Sequence, residues 1–273
     1  MRIEQYRAFT TILTETLTAD TRVVGLVALG SMAEQDYLPD RWSDHDFFVI
    51  TEPGAQETFR RDLSWLPDYQ RIAFRLREGP HALRVVYDSG HIVELVVFDA
   101  SELDGAYANR YRVLIDRGDV AARIAAAAAR TAQEAQQSAD SDEFNLGMFL
   151  VNLLVGAGRY YRGERLSGHT YVKVYAQDHL LRLLGKYVPA LQRSLLDNLA
   201  PSRRFEQVYP DLGAALDAIA LLPAPVAAAS LLDLAEDALD SRMPAFPSAD
   251  LAVVRRFLAE AASDSATHAK GSP

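Results

Sequence analysis

Two carboxylates stand one residue apart in Ser43-Asp44-His45-Asp46, directly before the apolar run 47–50. In an extended strand, residues i and i+2 point to the same face, about 6.6 Å apart. Both carboxylates can then reach one Mg²⁺ or a pair of ions. Phosphate oxygens and water would complete the coordination, which is the mixture this cation prefers. The plain alternative is a polar loop in which Asp44 caps a turn and Asp46 marks a strand edge. Gly30-Ser31 closes an earlier apolar run, Val23–Leu29. Glycine at the end of a strand lets the backbone approach a ligand. The Ser31 hydroxyl and the free N–H groups of a following turn can hold terminal phosphates. Its alternative is a strand-ending turn with a serine cap. Glu94 lies in Ile92-Val93-Glu94-Leu95-Val96-Val97-Phe98. An unpartnered buried carboxylate is costly, so Glu94 faces a metal, pairs with a cation or points to solvent from an edge. Neighbouring strands lie about 4.8 Å apart, which lets Glu94 join Asp44 and Asp46 at one ion. His45 alternates to the opposite face and takes no metal.

Periodicity supplies the elements that must position these groups. Residues 2–18 carry Ile3, Tyr6, Phe9, Ile12, Leu13 and Leu17 on one face, which predicts an amphipathic helix. Strands are expected at 23–29 and 45–51, with one helical turn at 31–35 between them. Helix 55–66 should stop before Pro67. Strands follow at 71–76, 83–87 and 91–98, the last two joined by the hairpin turn Asp88-Ser89-Gly90. A final strand is expected at 111–115. The character then changes. Residues 120–137 are Ala-rich and helical, 138–142 form a polar break, and only helices follow, at 143–162, 169–186, 190–199, 211–221, 225–242 and 248–262. Prolines punctuate them, and the small polar tail from 263 is expected to fray. The chain thus reads as an α+β part, residues 1–119, built on a mixed sheet with flanking helices, followed by an all-α bundle, residues 120–273.

Composition narrows the classes of function. The 273 residues are 49% hydrophobic, enough for a sizeable core. A net charge of −9 disfavours wrapping a nucleic acid, which needs clustered Lys and Arg, and permits a cationic small molecule or a metal–nucleotide complex. Without cysteine there is neither a disulfide framework nor a thiolate zinc site. No apolar stretch is long enough for a membrane span, and Met1 to Tyr6 lacks the apolar run of a signal peptide. A cytoplasmic protein is expected.

Gly30-Ser31, a spacer of twelve residues, Asp44-His45-Asp46 and a later strand carboxylate at Glu94 resemble the nucleotidyltransferase superfamily that includes DNA polymerase beta. A transferase domain followed by a helical bundle is most similar to the antibiotic nucleotidyltransferases, the aminoglycoside adenylyltransferases and their lincosamide relatives. The resemblance is specific over 23–51, moderate over 83–98, and one of general architecture beyond. It implies that Asp44 and Asp46 bind metal, that Gly30 and Ser31 hold nucleotide phosphates, and that Glu94 binds metal or acts as base. It implies Mg²⁺ as cofactor, ATP as AMP donor, pyrophosphate as product, and a small hydroxyl-bearing acceptor of aminoglycoside type, with a role in antibiotic resistance. It also implies a lysine from the helical domain on the triphosphate. Lys173, in Thr170-Tyr171-Val172-Lys173, is the best match, ahead of Arg159 and Arg162; a solvated charge beside a helix start is the alternative. The acceptor is expected between the domains, where pockets commonly form. Asp140, Asp142 and Glu143 read either as an acidic lip for a cationic acceptor or as an ordinary polar linker, and Arg203-Arg204-Phe205-Glu206 as a structural helix junction. Two rivals stand beside this reading: a regulatory transferase acting on a protein or nucleic acid, and a nucleotide-binding module without catalysis.

Overall fold

The computed structural model describes residues 3–139, 141–244 and 246–270. Contacts divide the chain into two compact units, Met1–Glu134 and Ala135–Pro273.

The first unit is a six-stranded sheet in the order β3-β4-β5-β2-β1-β6. Its strands are β1 (Val23–Leu29), β2 (His45–Thr51), β3 (Ile72–Glu78), β4 (Ala82–Tyr87), β5 (Ile92–Asp99) and β6 (Tyr111–Asp116). All neighbours are antiparallel except β2 and β5, so the sheet is mixed as expected. Alternation along the central strands sends side chains to two cores. Phe47, Val49, Leu95 and Val97 meet Tyr6, Phe9, Leu13 and Leu17 of helix α1 (Ile3–Ala19) on one face. Phe48, Ile50 and Phe98 meet Leu103, Val120 and Ile124 on the other. Leu103 belongs to the short helix α3 (Ala100–Leu103), whose Asp99 and Glu102 form a reciprocal capping box. Val120 and Ile124 belong to α4 (Val120–Ala139). The Ala-rich helix assigned from sequence to the helical part therefore begins on the sheet, and the division between units falls at 134/135 instead of 119/120. Helix α2 (Gln56–Arg61) ends earlier than its pattern, because Asp62 turns extended and its carboxylate accepts from the Ser64 N–H at 2.9 Å.

The second unit is all helical among the described residues. Its helices are α5 (Asp142–Tyr161), α6 (Arg165–Thr170), α7 (Gln177–Tyr187), α8 (Phe205–Val208), α9 (Pro210–Ala220), α10 (Ala224–Leu239) and α11 (Ser248–Lys270). A π-helical turn, Tyr171–Ala176, joins α6 to α7, so the helix expected at 169–186 begins four residues earlier, at Arg165. The helix expected at 190–199 is absent except for a 3-10 turn, Arg193–Leu195. Here the buried Asp197 carboxylate takes the N–H groups of Leu199 and Ala200, and Arg204 takes the Leu195 carbonyl, so side chains use up the backbone groups a helix needs. Helix α11 continues to Lys270, where the sequence suggested fraying from 263. No helix among the described residues is long and apolar enough to cross a membrane.

Glycine allows the closest approach inside this unit. A Cβ on Gly168 would sit 2.8 Å from the Gly156 carbonyl oxygen and 2.8 Å from Tyr160 Cβ, both fixed by α5. Gly168→Ala should therefore destabilise the protein by about 1–3 kcal/mol through overpacking. A thermal melt followed by far-UV circular dichroism measures this; an unchanged midpoint would show that α5 and α6 can separate freely.

Candidate active site

Strand directions gather the candidate residues at one end of the sheet. β1 runs antiparallel to β2, with Ala28 opposite Phe47, so the end of β1 lies beside the start of β2. β5 runs parallel to β2, with His45 opposite Val93 and Asp46 opposite Glu94. Gly30-Ser31, Asp44, Asp46 and Glu94 therefore meet at one sheet end. Asp46 and Glu94 are direct cross-strand neighbours on the face that carries Phe48, Val96 and Phe98.

The phosphate-loop candidate is a 3-10 turn, Gly30–Ala33. Gly30 sits at φ +54°, in the left-handed region, with open space where a Cβ would lie. Ser31 is 9% exposed. The turn is pinned from several sides. The Gly30 N–H donates to the Arg110 carbonyl at 3.2 Å, and Arg112 donates to the Met32 carbonyl at 3.1 Å. Glu34, which ends the turn, pairs with Arg7 at 3.2 Å. The following loop is tied down by Arg110 on Asp36 at 2.7 Å and by a turn in which Asp40 and Ser43 exchange hydrogen bonds.

Tyr6 fixes Asp44 from both sides. Its hydroxyl donates to the Ser43 carbonyl, and its own carbonyl accepts from His45 Nε2 at 3.2 Å. Burial, with the charge of Asp44 adding to it, pushes the Tyr6 phenol up to about 12, so it remains a donor. His45 points into the α1 core, stacked on Tyr6 at 4.7 Å between ring centres and packed on Phe9 at 4.4 Å. That is the opposite face from Asp46, as alternation requires. A carbonyl can only accept, so His45 Nε2 carries the proton and Nδ1 accepts from His91 Nε2 at 2.7 Å. Burial, followed by the neighbouring His91, lowers the His45 imidazole from 6.5 to about 3.

The carboxylate pair has a cationic neighbour that sequence reasoning missed. Arg84 stands opposite Glu94 on β4 and reaches its carboxylate at 2.9 Å, while also holding Glu78 at 2.6 Å. The hydrogen bond to Glu78, then the charge of Glu94 and more weakly that of Asp44, raises the Arg84 pKa. So Glu94 is a partnered carboxylate, 30% exposed, at the rim of the sheet. The alternation of β4, with Leu83 and Val85 in the core, put Arg84 on this face, but only strand pairing puts it opposite Glu94.

Among the described residues, no three His, Asp or Glu side chains are gathered closely enough to form a ready-made metal cage. Asp46 beside Glu94, with Asp44 at the strand mouth, nonetheless has the donor chemistry for Mg²⁺. That ion needs only one or two protein carboxylates when a nucleotide's phosphates and water supply the remaining oxygens.

The other expected residues lie in the helical unit. Lys173, within the π-helical turn, donates to the Ala220 carbonyl at 2.7 Å at the end of α9, and burial lowers its pKa. Arg159 bonds Ser167 at 2.6 Å and stacks on Tyr171; Arg162 pairs with Glu164 at 3.1 Å. Asp142 opens α5, pairs with Lys186 at 2.8 Å and accepts from the Tyr187 hydroxyl, which is a structural role. Glu143 is exposed in the first turn of α5, and Asp140 lies outside the described residues. Arg203 and Arg204 both pair with Asp197, in keeping with a structural junction.

No family model and no curated protein matches this chain. Among solved structures it is similar to an aminoglycoside 6-adenyltransferase from Bacillus subtilis, with 12% identity over 91% of this chain and 95% of that one, and a TM-score of 0.36. At these values the likeness assigns neither an activity nor a residue role to this chain.

The His45 environment makes acid stability measurable. Its folded pKa is depressed, so its contribution is whole above the unfolded value near 6.5. Below that value the unfolded state takes up a proton that the folded state refuses, until about pH 3. Stability of the first unit should fall by roughly 1.4 kcal/mol per pH unit within that window. Both tryptophans, Trp42 and Trp65, lie in this unit, so urea unfolding followed by their fluorescence reports it. His45→Phe should flatten the slope; an equal slope in that variant would place the acid sensitivity elsewhere.

Proposed function

We propose that the protein is a nucleotidyltransferase that moves AMP from ATP to a hydroxyl of a small acceptor. The observation that carries this reading is the register of the parallel pair β2 and β5. It sets Asp46 opposite Glu94 at the sheet end where Gly30-Ser31 also lies.

Each residue has a definite task in this reading. The Gly30–Ala33 turn offers the Ser31 hydroxyl and backbone N–H groups to the terminal phosphates, and Gly30 removes the side chain that would stand in their way. Asp44 and Asp46 would hold Mg²⁺ together with phosphate oxygens. When bound, that ion supplies charge stabilisation at the attacked phosphorus and the departing pyrophosphate. Glu94 takes the acceptor's proton as the acceptor oxygen bonds to the α-phosphorus and the α–β bridging P–O bond breaks. Pyrophosphate leaves with the electron pair of that bond. Arg84, paired with Glu94 at 2.9 Å, fixes the direction of the carboxylate until the acceptor arrives. Holding both reactants in line removes much of the entropic barrier.

Pyrophosphate release with ATP, Mg²⁺ and a mixed panel of hydroxyl-bearing acceptors tests the reading. Asp44→Asn and Asp46→Asn should abolish turnover. Glu94→Gln should lower kcat by about 10²–10⁴-fold. Ser31→Ala should raise the KM for ATP roughly five-fold, the worth of one hydrogen bond. Full activity in either asparagine variant would sink the assignment.

A further inference from the structure

A cavity of about 620 Å³ lies wholly within the helical unit. Met148 and Asn152 line it from α5, Tyr171 and Tyr175 from the π-helical turn, and Gln177 and His179 from α7. A π turn interrupts the α-helical ladder and recurs where helices shape a site. Here the rings of Tyr171 and Tyr175 meet edge to face, 5.2 Å between centres, and Tyr175 is half exposed.

Helix α5 buries two asparagines that are used differently. Asn145 donates to the Ser141 carbonyl at 3.1 Å and accepts from His179 Nδ1 at 3.0 Å. Asn152 is 4% exposed, and among the described residues its amide has no hydrogen-bond partner. A buried amide left unpaired is costly. Among the described residues, the partnerless side-chain polar atoms sealed from solvent are Nε of Arg60 and Nε of Arg112. The Asn152 amide therefore opens onto solvent space, and the cavity it lines is that space. Gln177, half-buried on α7, likewise has no partner among the described residues. His179 adds an acceptor. Its Nδ1 carries the proton that Asn145 takes, and burial lowers its pKa, so the ring is neutral and Nε2 keeps a lone pair.

The charged groups of the lining are Lys173 and Asp178. Lys173 donates to the Ala220 carbonyl, and Asp178 holds Arg182 at 3.0 Å, so the two charges offset each other and each is engaged. What stays open is two amides and a ring nitrogen beside aromatic surface. Each amide offers a donor next to an acceptor. Their complement is a flat, uncharged ring with a donor beside an acceptor on its edge, which is how asparagine reads a nucleobase. The volume holds such a base with a sugar attached.

We propose that this cavity binds an uncharged nucleobase or nucleoside, held by the Asn152 and Gln177 amides against Tyr175. The site uses none of the residues of the nucleotidyl-transfer reading and stands whether or not that reading does.

Methyl-labelled methionine reads the site directly by NMR. The four methionines include Met148 in the cavity and Met32 in the Gly30–Ala33 turn, and Met148→Leu assigns the first signal. The full chain is titrated, without Mg²⁺ or ATP, with the common nucleosides and, for comparison, with inositol, benzoate and benzylamine. One nucleoside is expected to move the Met148 signal saturably, with a Kd of about 1 mM or tighter, while Met32 stays still. Asn152→Leu, of similar volume, should weaken that Kd roughly ten- to a hundred-fold, the worth of a bidentate amide pair. Gln177→Ala should weaken it roughly five-fold, the worth of one hydrogen bond. That half-buried position carries the test if Asn152→Leu shows no folded baseline in a far-UV melt. A Met148 signal that no nucleoside moves leaves the cavity to water and overturns the proposal. So does an equal shift with inositol, benzoate or benzylamine, a shift at Met32 in place of Met148, or a Kd indifferent to the variants.

Discussion

The parallel pairing of β2 with β5 is the constraint on which the first unit depends. A parallel pair cannot be closed by a hairpin. The chain travels from Thr51 through α2, β3 and β4 before β5, starting at Ile92, lies alongside β2. That long return brings the starts of two strands to one end, so residues 48 positions apart, Asp46 and Glu94, become direct neighbours. An antiparallel β5 would carry Glu94 to the far end of β2. The same pairing explains Arg84. Two carboxylates side by side at a sheet rim repel each other, and a guanidinium on the next strand offsets that charge at 2.9 Å.

Within β2, period-two alternation separates two incompatible demands. Asp46 and Glu94 stand at the partly exposed rim of the sheet. His45, one residue away, is fully buried among Tyr6, Phe9 and Phe47, where charge is expelled. The two environments are joined through Tyr6. Its hydrogen bonds to Ser43 and His45 bracket Asp44, so helix α1 fixes the backbone on both sides of that carboxylate. A single side chain thus belongs to the hydrophobic core and also sets the geometry of the strand mouth.

The helical unit shows how local pattern is overridden by specific contacts. The run after Pro189 carries the spacing of a helix, yet Asp197 and Arg204 use the backbone groups that a helix would have joined. Lys173 illustrates the same limit. The family resemblance implied a phosphate contact for it, and in the structure its ammonium donates to the Ala220 carbonyl at the end of α9. A short-range signal cannot report which long-range partner claims a charge.

The sequence by itself determined the elements whose residues repeat strongly, because periodicity is a local property. The strands 23–29 and 45–51 and helix α1 are legible in this way, as are the glycine-serine turn and the placement of His45 away from the aspartates. The Asp99-x-x-Glu102 capping box was also written there, and no periodic run drew attention to it. Only the tertiary structure decided which strands pair and in which direction. That choice turned Asp46 and Glu94 into neighbours and gave Glu94 its arginine. The order β3-β4-β5-β2-β1-β6 is fixed by how buried faces fit across the whole sheet, and no window of residues contains that information. The chemistry was readable as residue types; the register of two strands makes it a site.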